Sequence, residues 1–406
     1  GGCRASDAAR APEPGATTEE EVAERSMGEV SAAAPLPGEA WAVALSGLPY
    51  MGPHRLTAAL ACGPPGQVWR AVADRRAHRD GRLARAMAPN PDDLATVWAT
   101  AAAAVDVDAL WQQHVDAGVG VALHGQIGYP MALHGDHDPP AVLFSRGDPD
   151  ILDRPRVAVI GTRRCSRYGH DLAFEFGRDL ATAGVVVVSG LALGIDGAAH
   201  RGAIVAERTP PAAVVGSGLD VIYPRANASL WAQIERCGVV LSEAPLGARP
   251  TRWRFPARNR IIAALADVVV VVESHAAGGS LLTVGEAIAR DRPVMAVPGP
   301  VRSSASSGTN ALLADGAAPA RDVDDVLTAI GLIAEANRTR PDHRPAPTPA
   351  DQAVLEAVGW QPATVEQLAT RTATGLVDVV MALERLLADG WIAERGGWWE
   401  RVARGG

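Results

Sequence analysis

Between Arg249 and Arg260 the sequence reads RPTRWRFPARNR, with five arginines, the aromatics Trp253 and Phe255 between them, and no acid. Cations beside flat rings are what a single nucleic-acid strand requires. Guanidinium groups track phosphates, and rings stack on bases with little regard to base identity. Arg252, Arg254, Phe255, Arg258 and Arg260 are therefore candidate contacts, and the amide of Asn259 can bond a phosphate or a base edge. The competing reading is a solvated charged face, which leaves the aromatics without a purpose.

Four further stretches place glycine where an anion could be held. Gly161-Thr162-Arg163-Arg164 follows the apolar run VAVIG. A glycine there admits backbone close to a phosphate, the next helix start offers free N–H groups, and Arg163 and Arg164 add charge. This turn is not GxGxxG and has no acidic ribose hook, so a plain strand-to-helix turn explains it equally well. SGLALGIDGAAH (189–200) carries three glycines at a second strand-to-helix junction; Asp196 is placed to cap the helix, and His200 reads as a satisfied polar residue on it. GSGLDVIYP follows a third strand. In AAGGSLLTVGEA (276–287), Gly278, Gly279, Ser280 and Thr283 could form an anion nest with hydroxyls beside free N–H groups, a bare helix cap being the alternative.

Six short apolar runs must position these loops: VAVIG (157–161), VVVVS (185–189), AAVVG (212–216), VVLSE (239–243), DVVVVVES (267–274) and PVMAVPG (293–299). Helical lengths separate most of them, which predicts an α/β fold with a parallel, Rossmann-like sheet. Val268 to Val272 is apolar at successive positions, as a strand covered on both faces should be. Ligands of such sheets bind at the carboxyl ends of the strands, where the loops lie.

The expected organisation is a disordered tail over 1–38, a helical domain over 39–125, the Rossmann-like domain over 126–335, a proline-rich linker over 336–350 and a winged helix over 351–402. The tail is too poor in large apolar residues to bury a core, and Met27 is a candidate start. Three helical segments followed by WIAERGGWWERV suggest the winged helix. Its third helix carries Arg385 against Asp378, Glu384 and Asp389, which favours a protein contact over DNA phosphate.

The net charge of −8 argues against a protein that coats nucleic acid by overall charge. Residues 153–330 nevertheless hold 19 arginines against 17 acids, leaving −10 for the rest. The sequence has no lysine, so each Lys/Arg-type cation is a planar guanidinium fork. The four cysteines (Cys3, Cys62, Cys165 and Cys237) are scattered without metal spacing, and no apolar run reaches membrane-spanning length. These features imply reduced thiols, no metal, no membrane span and a cytoplasmic location.

Taken in order, GTRRCSRYG (161–169), SGLALGIDGAAHRGAI (189–204), VVGSGLDVIYPRAN (214–227), FPARNRIIAALADVVVVVES (255–274) and GGSLLT (278–283) resemble the DprA/Smf family of DNA-processing proteins. The resemblance is strong over 126–330 and weaker on either side. It implies an extended Rossmann fold with a small helical domain of SAM or helix-hairpin-helix type and a winged helix. It further implies single-stranded DNA binding without catalysis or cofactor, DNA protection, dimerisation and loading of RecA recombinase during natural transformation. Carried over by residue, it implies contacts from Gly161, Arg163 and Arg164, from Arg252, Arg254, Phe255, Arg258, Asn259 and Arg260, and from Gly278, Gly279, Ser280 and Thr283.

This sequence departs from the family pattern at three places. Leu193 stands where an arginine is usual before GID, and Ala264-Leu265-Ala266 replaces GLS. LSGLPYMGPHRL looks like a helix-hairpin-helix element with Tyr50 at its first glycine, so no DNA contact is expected there. One alternative is an enzyme of the lysine-decarboxylase-like phosphoribohydrolase type, with Glu243 or Glu286 assisting glycosidic cleavage. Another is a scaffold that acts through the winged helix.

Overall fold

The structure, a computed structural model, describes residues 35–332, 344–359 and 362–402. Residues 1–34 of the expected tail, Met27 among them, and residues 336–343 of the expected linker lie outside the described residues. Helices α1 (Gly38–Ser46), α2 (Pro53–Leu60), α3 (Pro65–Ala73), α4 (Gly81–Met87), α5 (Pro91–Ala102) and α6 (Val107–Asp116) come first. Proline opens α2, α3 and α5, where its missing N–H removes no helical bond. Asp80 and Asp106 cap α4 and α6 by accepting backbone N–H bonds. Trp98 is fully buried among these helices, and its indole donates to the Pro49 carbonyl at 2.8 Å, fixing the turn between α1 and α2.

A nine-stranded sheet follows. In chain order come β1 (Gly120–Leu123), α7 (Met131–His134), β2 (Val142–Gly147), β3 (Arg156–Ile160), α8 (Arg167–Thr182), β4 (Val186–Ser189), α9 (Ile195–Val205) and β5 (Ala212–Val215). They are succeeded by α10 (Ala228–Cys237), β6 (Val239–Ser242), α11 (Arg254–Leu265), β7 (Val268–Val271), α12 (Ser280–Ile288), β8 (Val294–Ala296), α13 (Ser307–Ala314), β9 (Ala318–Pro319) and α14 (Val323–Ala329). The strand order is β1-β2-β6-β5-β4-β3-β7-β8-β9. The seven strands from β6 to β9 pair in parallel, while β1 with β2 and β2 with β6 are antiparallel. β1 falls inside the stretch expected to be helical, and β2 near the start of the expected Rossmann-like domain. The sheet therefore starts at Gly120, ahead of the expected boundary at 126.

The continuous valine runs have a direct physical reason. Along β3, Ala158 and Ile160 enter one apolar core while Val157 and Val159 enter the other. Along β7, Val269 and Val271 face the first core and Val268, Val270 and Val272 the second. Both faces are covered by helices, so neither parity of the strand meets water. The direction of strand succession reverses between β3 and β7, which opens a crevice at their carboxyl ends.

After the sheet, α15 (Pro349–Val358), α16 (Val365–Thr372) and α17 (Leu376–Ala388) precede a hairpin of β10 (Ile392–Arg395) and β11 (Trp398–Arg401). They share a separate core around Leu355, Leu368, Leu383 and Trp399. Among the described residues no single helix is long and apolar enough to cross a membrane.

Candidate nucleic-acid interface

The loop after β3 is tied at every step. Thr162 N–H donates to the Glu273 carbonyl at 2.8 Å, and Thr162 Oγ1 lies 3.2 Å from His275 Nδ1, joining this loop to the one after β7. Gly161 packs so closely that a Cβ would sit 2.6 Å from Ile195 Cγ1, so glycine here serves packing. The start of α8 is already taken. The Glu273 carboxylate, almost wholly buried, accepts from Ser166 N–H at 2.8 Å and Ser166 Oγ–H at 2.6 Å. The expectation that this helix start offers free N–H groups to a phosphate is narrowed, because the chain's own anion takes the Ser166 N–H and Ser166 Oγ takes the Gly169 N–H. Arg163 and Arg164 remain exposed at the rim.

Beside this loop lies a small pocket at the carboxyl ends of β4 and β5, lined by Arg163, Leu193, Tyr223 and Phe255, with Arg258 beneath. The Arg163 guanidinium stands 5.2 Å from the Phe255 ring centroid, and the Tyr223 and Phe255 rings are 5.5 Å apart. No carboxylate lines the pocket. Tyr223 was missed as a candidate; its signal was an aromatic in a loop that follows a strand.

The arginine segment is not one surface. Residues 251–253 are exposed, but the chain turns into α11 at Arg254, and from there helical geometry decides which side chains face the sheet. Arg252 faces solvent, while Arg254, Phe255 and Asn259 are half-buried. Arg258 is only 7% exposed; its Nη1 donates to the Gly190 carbonyl at 2.7 Å and also to the Val214 carbonyl. Burial pulls its pKa down to about 10, against the opposing charge of Asp196. A Cβ on Gly190 would collide with this guanidinium. Arg260 is buried too, donating to Glu243 at 2.6 Å and lying 3.2 Å from Asp138. Arg260 spends its donors inside the protein, on Asp138 and Glu243, so direct phosphate contact by Arg260 is corrected; Arg258 is turned inward through Nη1 alone and still floors the pocket.

Asp196 does not cap α9, which has no side-chain cap. It lies buried, bonded by the backbone amides of Ala192 and Gly190, and burial raises its pKa against the pull of Arg258. His200 is fully buried, and a hydrogen bond with the Ser189 backbone opposes the effect of burial on its ring. Burial pushes its pKa down to about 3.

The loop before α12 also differs from expectation. Ser280 and Thr283 are buried, and Ser280 Oγ–H donates to Ser274 Oγ at 2.9 Å. A Cβ on Gly278 would meet Ser274 Oγ at 2.5 Å. The hydroxyls turn inward, so exposed backbone at Gly279 is what remains of the expected nest. Of the two acids weighed for glycosidic cleavage, Glu243 is held by Arg260, and burial lifts its pKa to about 7. Glu286 pairs with Arg290, which also binds Asp136. Among the described residues no group of His, Cys, Asp and Glu could hold a metal, and Cys62, Cys165 and Cys237 are free thiols.

The model of the DNA recombination-mediator protein A family matches residues 120–331. The chain belongs to the DNA recombination-mediator protein A family. A putative DNA processing protein DprA of Mycobacterium tuberculosis is 40% identical over 259 residues, covering 62% of this chain and 66% of that protein, just short of two thirds of its length. Protein Smf of Escherichia coli is 36% identical over 269 residues, covering 64% of this chain and 71% of the relative. The X-ray structure of DNA processing protein A from Streptococcus pneumoniae aligns with a TM-score of 0.60 at 31% identity, covering 73% of this chain and 98% of that one. The segment matched by the DNA recombination-mediator protein A family begins at β1 and contains all the loops described above. The α1–α6 helices and the α15–α17 segment lie outside it.

Proposed function

We propose that this chain is a non-catalytic recombination mediator that binds and protects single-stranded DNA and loads RecA recombinase onto it, acting as a homodimer in the cytoplasm. The observation that carries the reading is the pocket in which the exposed Arg163 is packed over Phe255 beside Tyr223, with no carboxylate in its lining. A cation for the phosphate and a ring for the base meet there at the mouth of the sheet. Arg164, Arg252 and Arg254 extend positive charge from it, and Asn259 and the Gly279 backbone add polar donors. The α15–α17 segment with its hairpin is proposed to act as a winged helix turned to protein contact. Val377 and Met381 of α17 are exposed beside Asp378, a surface unsuited to phosphate.

The test is fluorescence anisotropy with labelled single-stranded DNA across salt concentrations. Affinity should fall with a log–log slope of about −0.7 per phosphate neutralised. Absence of binding at low salt would refute the reading, and turnover of a nucleoside monophosphate would favour an enzyme instead.

A further inference from the structure

The pocket at Arg163 and Phe255 does not end there. It shares Val215, Gly216 and Arg258 with a second depression, which in turn shares Met51, Gly52, Pro53, Trp253 and Arg254 with a cleft of about 840 Å3 between the α1–α2 turn and the start of α11. The three depressions thus lie in succession from the carboxyl ends of β4 and β5 to the helical layer, the middle one also lined by Glu243. The cleft's lining includes Arg55, Arg254 and His54 and no carboxylate.

Two aromatics line this cleft from opposite elements. Trp253 is 49% exposed, with the Arg254 guanidinium 4.7 Å from its ring. Tyr50 is 74% exposed and has φ 60°, a left-handed conformation that favours glycine. Its neighbours impose it: Arg55 Nη1 donates to the Tyr50 carbonyl at 2.9 Å, and Trp98 bonds the Pro49 carbonyl. A bulky ring held in a strained backbone and left in solvent contributes nothing to the core.

We infer that the cleft between the α1–α2 turn and α11 is a second single-strand subsite, in which Tyr50 and Trp253 stack on bases while Arg254 and His54 face the phosphates. The inference rests on the single-stranded DNA reading proposed above. It assigns the helical layer a contact that Tyr50, in place of glycine, argued against at the level of sequence.

The test uses the full chain and oligothymidylates of about four and about twenty nucleotides, lengths below and above one ordinary binding site. Trp253→Ala and Tyr50→Gly should weaken binding of the long strand at least about fivefold, the loss of one stacked base, and leave the short strand unaffected. The salt slope should stay unchanged, because stacking releases no counterions. Trp253→Phe should restore most of the affinity. Glycine suits φ 60° at position 50, so Tyr50→Gly keeps the fold, which thermal unfolding checks. Bromodeoxyuridine in the long strand should photocrosslink to peptides containing Tyr50 or Trp253.

Long-strand affinity unchanged in both variants, or crosslinks confined to the 161–170 and 189–200 loops, overturns the subsite. In that case Arg163→Ala still weakening both strands leaves the primary reading intact. No binding of either strand by the unaltered chain removes that reading and the subsite with it.

Discussion

Replacing Arg258 with alanine separates a structural guanidinium from a DNA contact. The side chain donates from one nitrogen to two carbonyls, Gly190 at the end of β4 and Val214 in β5, and lies near buried Asp196. Hydrogen bonds from a charged donor contribute about 1.5–3 kcal/mol each, and leaving a buried charge without its partner costs about 3–5 kcal/mol. These overlap, because the same guanidinium supplies both, so Arg258→Ala should cost about 3–5 kcal/mol. That is a large part of an ordinary domain stability of about 5–15 kcal/mol. Urea unfolding at pH 7 measures it, and a cycle with Asp196→Asn isolates the pair. If the two side chains are coupled, the double variant should depart from the sum of the two single losses by about 1–3 kcal/mol. If Arg258→Ala instead stays within about 0.5 kcal/mol of the unaltered chain, as surface changes do, and loses DNA affinity with a shallower salt slope, the interior assignment is wrong.

Arg163→Ala should leave unfolding unchanged, weaken single-stranded DNA binding about tenfold at low salt and make the salt slope shallower by about 0.7, as loss of one phosphate contact requires; an unchanged slope would place Arg163 off the strand. His200 gives the chain an acid sensitivity. Its folded pKa of about 3 lies below the ordinary 6.5, so its contribution is complete above pH 6.5 and is lost as pH falls from there toward 3. By pH 5 the loss is about 2 kcal/mol; urea unfolding at pH 7 and pH 5 should show it, and His200→Leu should remove it, whereas identical pH profiles for the two proteins would exclude His200 as the cause. Glu273→Ala should cost about 2–3 kcal/mol through two lost bonds at the start of α8 and speed amide exchange at Ser166; protection at Ser166 equal to that of the unaltered chain would contradict the capping role.

The sheet was legible because burial on both faces writes itself into the sequence as unbroken apolar runs, and Val268 to Val272 is such a run. The loops were legible because strand ends in such sheets carry glycine. What could not be read was direction. Arg252 and Arg258 look alike in a string of residues, yet one precedes α11 and the other lies on its buried face. The inward turn of Ser280 and Thr283 was hidden for the same reason. Glu273 was hidden by distance, since the residue it caps stands 107 positions earlier. β1 was absorbed into the helical region because a four-residue edge strand carries little pattern of its own.

The occupied start of α8 has a consequence for which anions this crevice admits. A carboxylate carried on the same chain meets its partner at an effective concentration of millimolar or more, with no loss of free translation on binding. A dissolved phosphate must displace Glu273 to reach the Ser166 N–H. The position where open α/β sheets often seat a dinucleotide's phosphates is thus held, at Ser166, by an anion of the chain itself.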